Sequence, residues 1–274
     1  MRIGFFSDWH TSKNPSVDII RELIELGVDI IINGGDWDVI PYSISELNSL
    51  REKVPIYSVY GNHDDPNILR SYGILIEDGD PIFDETTGLT ICGFGGAIIR
   101  DSYSYPETWH QPEYYLEKSL EALGKLRENL KPCNILVFHD PPKSIVDEIL
   151  LSISDTSYID TKSYRIVFDT IIDLLQPDIV LSGHVHALPF FKTNYYSYSF
   201  DESKKTIPII NVISLLENTF VIIDLNKNKI EVYSYPEKRI KGSTFVSLQQ
   251  EYYEVPLMWM LSQKLYKSLY FLIY

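Results

Sequence analysis

Short apolar runs rich in β-branched residues recur along the chain, each about six residues long, and between them lie longer stretches whose apolar residues fall three and four positions apart. The short runs read as strands: RIGFFSD, DIIINGG, PIYSVYG, LTICGFGG, NILVFHD and DIVLSGH. The longer stretches read as helices with one buried face: SVDIIRELIELG, SISELNSLREK, PEYYLEKSLEALGKLRENL and SYRIVFDTIIDLLQ. Up to residue 96 the order is close to βαβαβ, so the pattern predicts an α/β fold in which helices cover a sheet. After residue 206 the texture changes to IPIINVIS, TFVIIDL and KIEVYSY, short runs separated by turn-like residues such as NKNK, which predicts antiparallel pairing. Asp65-Pro66 reads as a helix N-cap followed by the first helical residue. In the tail, Leu257, Leu261, Leu265, Leu269 and Ile273 form an i, i+4 series that predicts an amphipathic helix.

Composition changes this picture little, since 274 residues with 45% hydrophobic and 23% charged content describe an ordinary globular chain able to bury a full core. Charge changes it more. With 24 basic against 38 acidic residues the formal charge is -14, which repels a phosphate backbone and makes long nucleic acid a disfavoured partner. The N-terminal MRIGFFSDWH turns polar after only a few apolar residues, so neither a signal peptide nor a transmembrane segment is expected there. Only Cys92 and Cys133 are present, which excludes a disulfide framework and points to a reducing, cytoplasmic location. The sequence is compatible with a single bridge between the two.

The candidate chemistry lies where the strands end. The first three predicted strands run into Asp8-Trp9-His10, Gly35-Asp36-Trp37-Asp38 and Gly61-Asn62-His63-Asp64, and two later ones into His139-Asp140 and Gly183-His184-Val185-His186. In open α/β sheets, ligands bind beyond the carboxyl ends of the strands, where loops converge. Five of the six histidines fall in these segments, His110 being the exception. Imidazole nitrogens mixed with carboxylates suit first-row transition ions rather than the all-oxygen sites of magnesium or calcium. In Asp8-x-His10 and His184-x-His186, alternate side chains of an extended segment point the same way and can clasp an ion. The potential ligands outnumber one four-coordinate site, so two ions sharing a carboxylate fit better.

In this order, DWH, GDWD, GNHD, FHD and GHVH resemble the signature of the calcineurin-like metallophosphoesterase superfamily, which runs D-x-H, G-D, G-N-H-D/E, H and G-H-x-H. The resemblance covers residues 3 to 190, with strands of the family's kind continuing to 235. It implies a four-layer αββα sandwich of two mixed β-sheets flanked by helices, forming a catalytic domain over residues 1–240 with residues 241–274 as a C-terminal extension. By motif position it implies one metal held by Asp8, His10 and His186, another by Asn62, His139 and His184, and Asp36 bridging both. The implied cofactors are two divalent metal ions, manganese first, with iron, zinc, nickel or cobalt as alternatives. Such a pair generates hydroxide near neutral pH for in-line attack on phosphorus, and His63, oriented by Asp64, is placed to protonate the leaving oxygen.

Departures from other branches narrow the expectation. GDWDVIP lacks the arginine of the phosphoprotein phosphatases, His10 and Trp37-Asp38 differ from the purple acid phosphatases, and His63 differs from the arginine of the lipid A pathway hydrolases. His139-Asp140-Pro141-Pro142 resembles the H-x-P-P segment of small prokaryotic and cyclic-nucleotide phosphodiesterases. The expected function is therefore a dinuclear phosphodiesterase acting on a small phosphorylated or nucleotide substrate. A nuclease of the double-strand-break repair type is the enzymatic alternative, and a non-catalytic scaffold on the same fold is the alternative from another class. Residues 100 to 115, RDSYSYPETWHQPEYY, and the aromatic NYYSYSF read as surface segments that could also contact a flat substrate group. The tail helix reads as packing on its own domain or on a sister chain, giving a possible homo-oligomer, with a membrane surface as the alternative.

Overall fold

The computed structural model describes residues 1–10, 16–37, 44–98, 109–110, 120–122, 124–125, 133–143, 146, 165–184, 190–192, 207, 209–211, 219–227, 229–234 and 239–245. The first two predicted helices form as α1 (Ser16–Glu25) and α2 (Ile44–Arg51), and between and after them lie β1 (Arg2–Phe6), β2 (Ile30–Asn33) and β3 (Ile56–Ser58). These three strands pair in parallel, as right-handed βαβ units require. Helix α3 (Pro66–Ser71) follows, its N-terminus capped by the Asp65 carboxylate, which accepts the Asn67 N–H at 2.8 Å. Then come β4 (Ile82–Asp84), β5 (Leu89–Phe94), β6 (Ala97–Ile98), β7 (Trp109–His110), β8 (Ile135–Phe138), α4 (Ile166–Leu175), β9 (Ile179–Ser182) and β10 (Phe190–Lys192). The last strands are β11 (Ile209–Asn211), β12 (Thr219–Asp224), β13 (Lys229–Ser234) and β14 (Arg239–Phe245).

They assemble into two six-stranded mixed sheets, ordered β14-β13-β12-β1-β2-β3 and β10-β11-β9-β8-β5-β4, with β6 and β7 paired apart. Strict alternation within the central strands explains why the sheets stack. Ile3, Phe5, Ile30, Ile32, Ile135, Val137, Ile179 and Leu181 all join one buried cluster between the two sheets. Their neighbours face outward: Phe6 and Ile31 pack with Ile19, Ile20 and Leu23 of α1, while Leu136, Phe138 and Val180 pack with Phe168, Ile171 and Ile172 of α4. Three apolar interfaces thus separate four layers, helix, sheet, sheet and helix, which is the expected αββα sandwich. A Cβ on Gly4 of β1 would lie 2.8 Å from a Leu23 methyl, so glycine there lets α1 settle on the sheet.

The late strands correct one expectation. β12, β13 and β14 are antiparallel as their texture predicts, but β11 runs parallel to β9 and antiparallel to β10. Ile207, Ile209 and Ile210 are all buried, so the run carries no exposed alternate face from which antiparallel placement could be read. β14 crosses residue 240 and stays on the sheet edge to Phe245, with a register shift opposite Val232 and Tyr233. The amphipathic tail, NYYSYSF and most of the 100–115 stretch lie outside the described residues; of the last, the structure gives the β7 backbone.

Candidate metal centre

Each strand that ends in a polar motif stops at the same end of the sandwich, and backbone bonds tie the ends together. Asp8 N–H donates to Gly35 C=O at 2.9 Å and Trp9 N–H to Asp36 C=O at 2.9 Å, joining the loops after β1 and β2. Gly183 N–H donates to His139 C=O at 3.0 Å, joining those after β9 and β8. The two sheets meet here as well. A Cβ on Gly183 would overlap the Ser7 hydroxyl and the Asp8 carboxylate, and one on Gly35 would sit 2.7 Å from His139 Nδ1. Glycine is required at both positions because chain and ligand side chains pass too close for any other residue, and at Gly35 the φ of +97° adds the same demand.

Five non-glycine described residues hold a left-handed φ, and four of them are expected ligands: Asp8 at 54°, His10 at 44°, Asp36 at 53° and His184 at 64°. The fifth, Gln176, ends α4. Left-handed backbone disfavours side chains with a Cβ by on the order of 1–3 kcal/mol, and it persists where the surroundings over-determine it, above all at functional sites. Here the fixed strand ends supply that constraint.

The side chains converge. Asp8, Asp36, His139 and His184, all buried, each present a donor atom, and the four atoms lie within 4.8 Å of one another; His10, Asp36 and His63 form a second such group. Asp36 belongs to both, with Oδ2 at 3.5 Å from His10 Nε2 and 3.5 Å from His139 Nε2. Asn62 points its Oδ1 at His139 Nε2, 3.0 Å away. His186 and Asp38 lie outside the described residues. The clustered oxygens and imidazole nitrogens fit divalent first-row cations, because two buried carboxylates beside inward-facing imidazoles offer an ion both charge compensation and ligands.

Supporting bonds set which atoms face inward. His139 Nδ1 lies 2.8 Å from the Gly34 carbonyl, to which it must donate, so Nε2 is the atom turned to the cluster. Burial works against a charge on this ring, but the Asp36 and Asp8 carboxylates outweigh it and the pKa rises to about 10. Burial likewise works against charge on Asp36, whose pKa nonetheless falls because His139 pairs with it. Asp8 Oδ2 accepts from the Ser7 hydroxyl at 2.6 Å and from the His184 N–H at 2.8 Å. Nothing in the sequence marks Ser7, since a hydroxyl next to a ligand has no diagnostic spacing.

His63 is exposed, its ring edge-on to that of His10 with centroids 4.9 Å apart, and its backbone N–H donates to Asp36 Oδ1 at 2.8 Å. Asp64 differs from the sequence expectation. Its buried carboxylate does not orient the His63 ring; it accepts the backbone N–H groups of Asp36 at 2.7 Å, Trp37 at 2.9 Å and Gly61 at 2.8 Å. The side chain following His63 turns into the molecule while His63 turns out, so Asp64 clamps the β2 and β3 loops to each other. Burial, then the Asp36 carboxylate, pushes its pKa up to about 6 against the pull of those amides.

Comparison with known proteins agrees with this geometry. The crystal structure of TT1561 of Thermus thermophilus superposes with a TM-score of 0.53 at 17% identity over 85% of this chain and 98% of that one, which establishes a shared fold. A structure described as a novel archaeal phosphodiesterase gives 0.43 at 18% identity over 85% of this chain and 99% of that one, too loose an overlap to carry an argument. No curated protein matches the sequence. The sequence profile described as calcineurin-like phosphoesterase matches residues 1–188, which hold every motif of the site, and the chain belongs to that family.

Proposed function

We propose that the chain is a dinuclear metal-dependent phosphodiesterase acting on a small phosphorylated or nucleotide substrate. The observation that carries this reading is the position of Asp36, buried, with its Oδ2 at 3.5 Å from His10 Nε2 and at 3.5 Å from His139 Nε2, one imidazole from each of the two ligand sets. A carboxylate placed so is what two adjacent cations need in common. In this reading Asp8, His10 and His186 hold one ion, Asn62, His139 and His184 the other, and Asp36 both. When bound, the ions supply charge stabilisation for a phosphoryl group and a nucleophile drawn from water at neutral pH.

The chain's own residues do the rest. His63, exposed at the rim, gives a proton to the leaving oxygen; Asp64 keeps Asp36 and the Gly61 turn in register rather than touching that proton. Preference for diesters rests on the likeness of His139-Asp140-Pro141-Pro142 to the H-x-P-P segment, and manganese on the resemblance to the family, the mixed oxygen and nitrogen donors fitting divalent first-row ions in general. A cytoplasmic location rests on the low cysteine count, Cys92 and Cys133 being the two in the chain.

The test is reconstitution of the full chain with Mn2+, followed by ion counting and parallel assays on bis(p-nitrophenyl) phosphate, p-nitrophenyl phosphate and single-stranded DNA. Two ions and preference for the small diester are expected. Two ions with faster DNA cleavage would give the nuclease, and absence of both ions and hydrolysis would give the scaffold.

A further inference from the structure

Behind the metal centre lies a buried ion pair that the proposed reaction does not use. Asp140, next in sequence to His139, and Arg165, immediately before α4, are both fully shielded from solvent. Arg165 Nε donates to Asp140 Oδ1 at 2.9 Å and Nη2 to Oδ2 at 2.9 Å, a two-pronged fork. The same Oδ2 accepts the Ile98 N–H at 2.9 Å, and Arg165 Nη2 lies 3.5 Å from the Ile98 carbonyl. Three segments therefore close on one carboxylate: the end of β8, β6 and the start of α4.

Such a pair is a poor way to gain stability. Apolar side chains of similar volume would hold the layers together at least as well. What an apolar pair lacks is direction. His139 and Asp140 follow β8 in a bend and their side chains diverge: Asp140 is held to β6 and the start of α4 while His139 Nε2 faces Asn62 and Asp36, so the fork anchors the stretch of backbone from which the imidazole projects. We infer that Arg165 is a positioning residue which, through Asp140, aims the His139 imidazole at one of the two cation sites. The inference rests on the dinuclear reading above.

Its test compares the native full chain with Arg165→Lys, which keeps the charge but not the fork, and with the double variant Asp140→Leu plus Arg165→Met, which removes both members of the pair together. Mn2+ titration calorimetry gives the affinity of each ion, and electron paramagnetic resonance shows whether two adjacent Mn2+ are spin-coupled. The native chain is expected to bind two coupled ions. In the double variant one ion should bind roughly 10- to 100-fold more weakly, the scale of lost support behind a metal ligand, and the coupled signal should give way to that of isolated Mn2+ at concentrations that fill the native site. Arg165→Lys should weaken the same ion by a smaller factor. Native affinity and a coupled signal in both variants would show the pair to be only structural and overturn the inference while leaving the dinuclear reading intact. A native chain that binds no Mn2+ would overturn both together.

Discussion

Asp64 shows how the site depends on atoms that never meet a substrate. Its two oxygens receive three N–H groups, so Asp64→Asn, which offers one oxygen, must turn its amide nitrogen toward at least one of those donors. A buried amide left facing a donor costs about 1–3 kcal/mol. The expected outcome is a lower denaturant midpoint at unchanged slope, together with weaker Mn2+ binding, because Asp36 hangs on the same clamp. Native stability in Asp64→Asn would show that the clamp is dispensable. His63 predicts the opposite division. His63→Ala should keep two ions and lose about 10²- to 10⁴-fold in turnover on an alkyl diester, whose leaving group needs a proton, and much less on a p-nitrophenyl diester, whose leaving group does not. Equal losses on both, or loss of an ion, would make His63 something other than the acid; its place beside His10 and Asp36 makes the ion count informative.

At the scale of elements, what the sequence reveals is what is local. Apolar runs such as IGFF and ILVF mark β1 and β8, and the abrupt change to Asp8 or His139 marks where they stop. Partners distant in the chain leave no such trace. Nothing in HDPP announces that Asp140 reaches Arg165, and nothing in GNHD announces that Asp64 serves the β2 loop, because both depend on which strand ends the topology brings together. β11 is illegible for the same reason: an isoleucine run buried on both faces reads alike whichever neighbour it finds. Two glycines separate local from distant demands. Gly183→Ala should force apart the ends of β1 and β9, costing about 1–3 kcal/mol as overpacking and weakening Mn2+ binding through Asp8. Gly124 is helical with open space where a Cβ would go, so Gly124→Ala should raise stability by about 0.5–1 kcal/mol and leave ion binding unchanged. Thermal melts with and without Mn2+ distinguish the two responses.

For the molecule as a whole, β3 ends the strand order of one sheet and β4 that of the other, and a side-chain contact joins the two. Tyr57 of β3 donates its hydroxyl to Asp84 Oδ1 of β4 at 3.1 Å, one polar clasp between the sheets. Burial, and then the Asp84 charge, raises the Tyr57 pKa from 10.0 to about 12. Tyr233, stacked on Phe220 with its hydroxyl on Glu231, is raised to about 12 by burial first and by Glu231 second. Both shifts favour the protonated phenol in the folded chain. The stabilisation they give is therefore complete below pH 10, where the unfolded chain is still protonated, and disappears as pH rises through about 12. Denaturant midpoints followed upward from pH 9 should hold until about 10 and then fall. Tyr57→Phe separates the clasp from the ionisation, because phenylalanine loses the clasp but cannot ionise. It should start less stable at neutral pH and then lose less than the native chain across the alkaline range. An alkaline fall as steep as the native one would mean that Tyr57 ionisation does not loosen the two sheets.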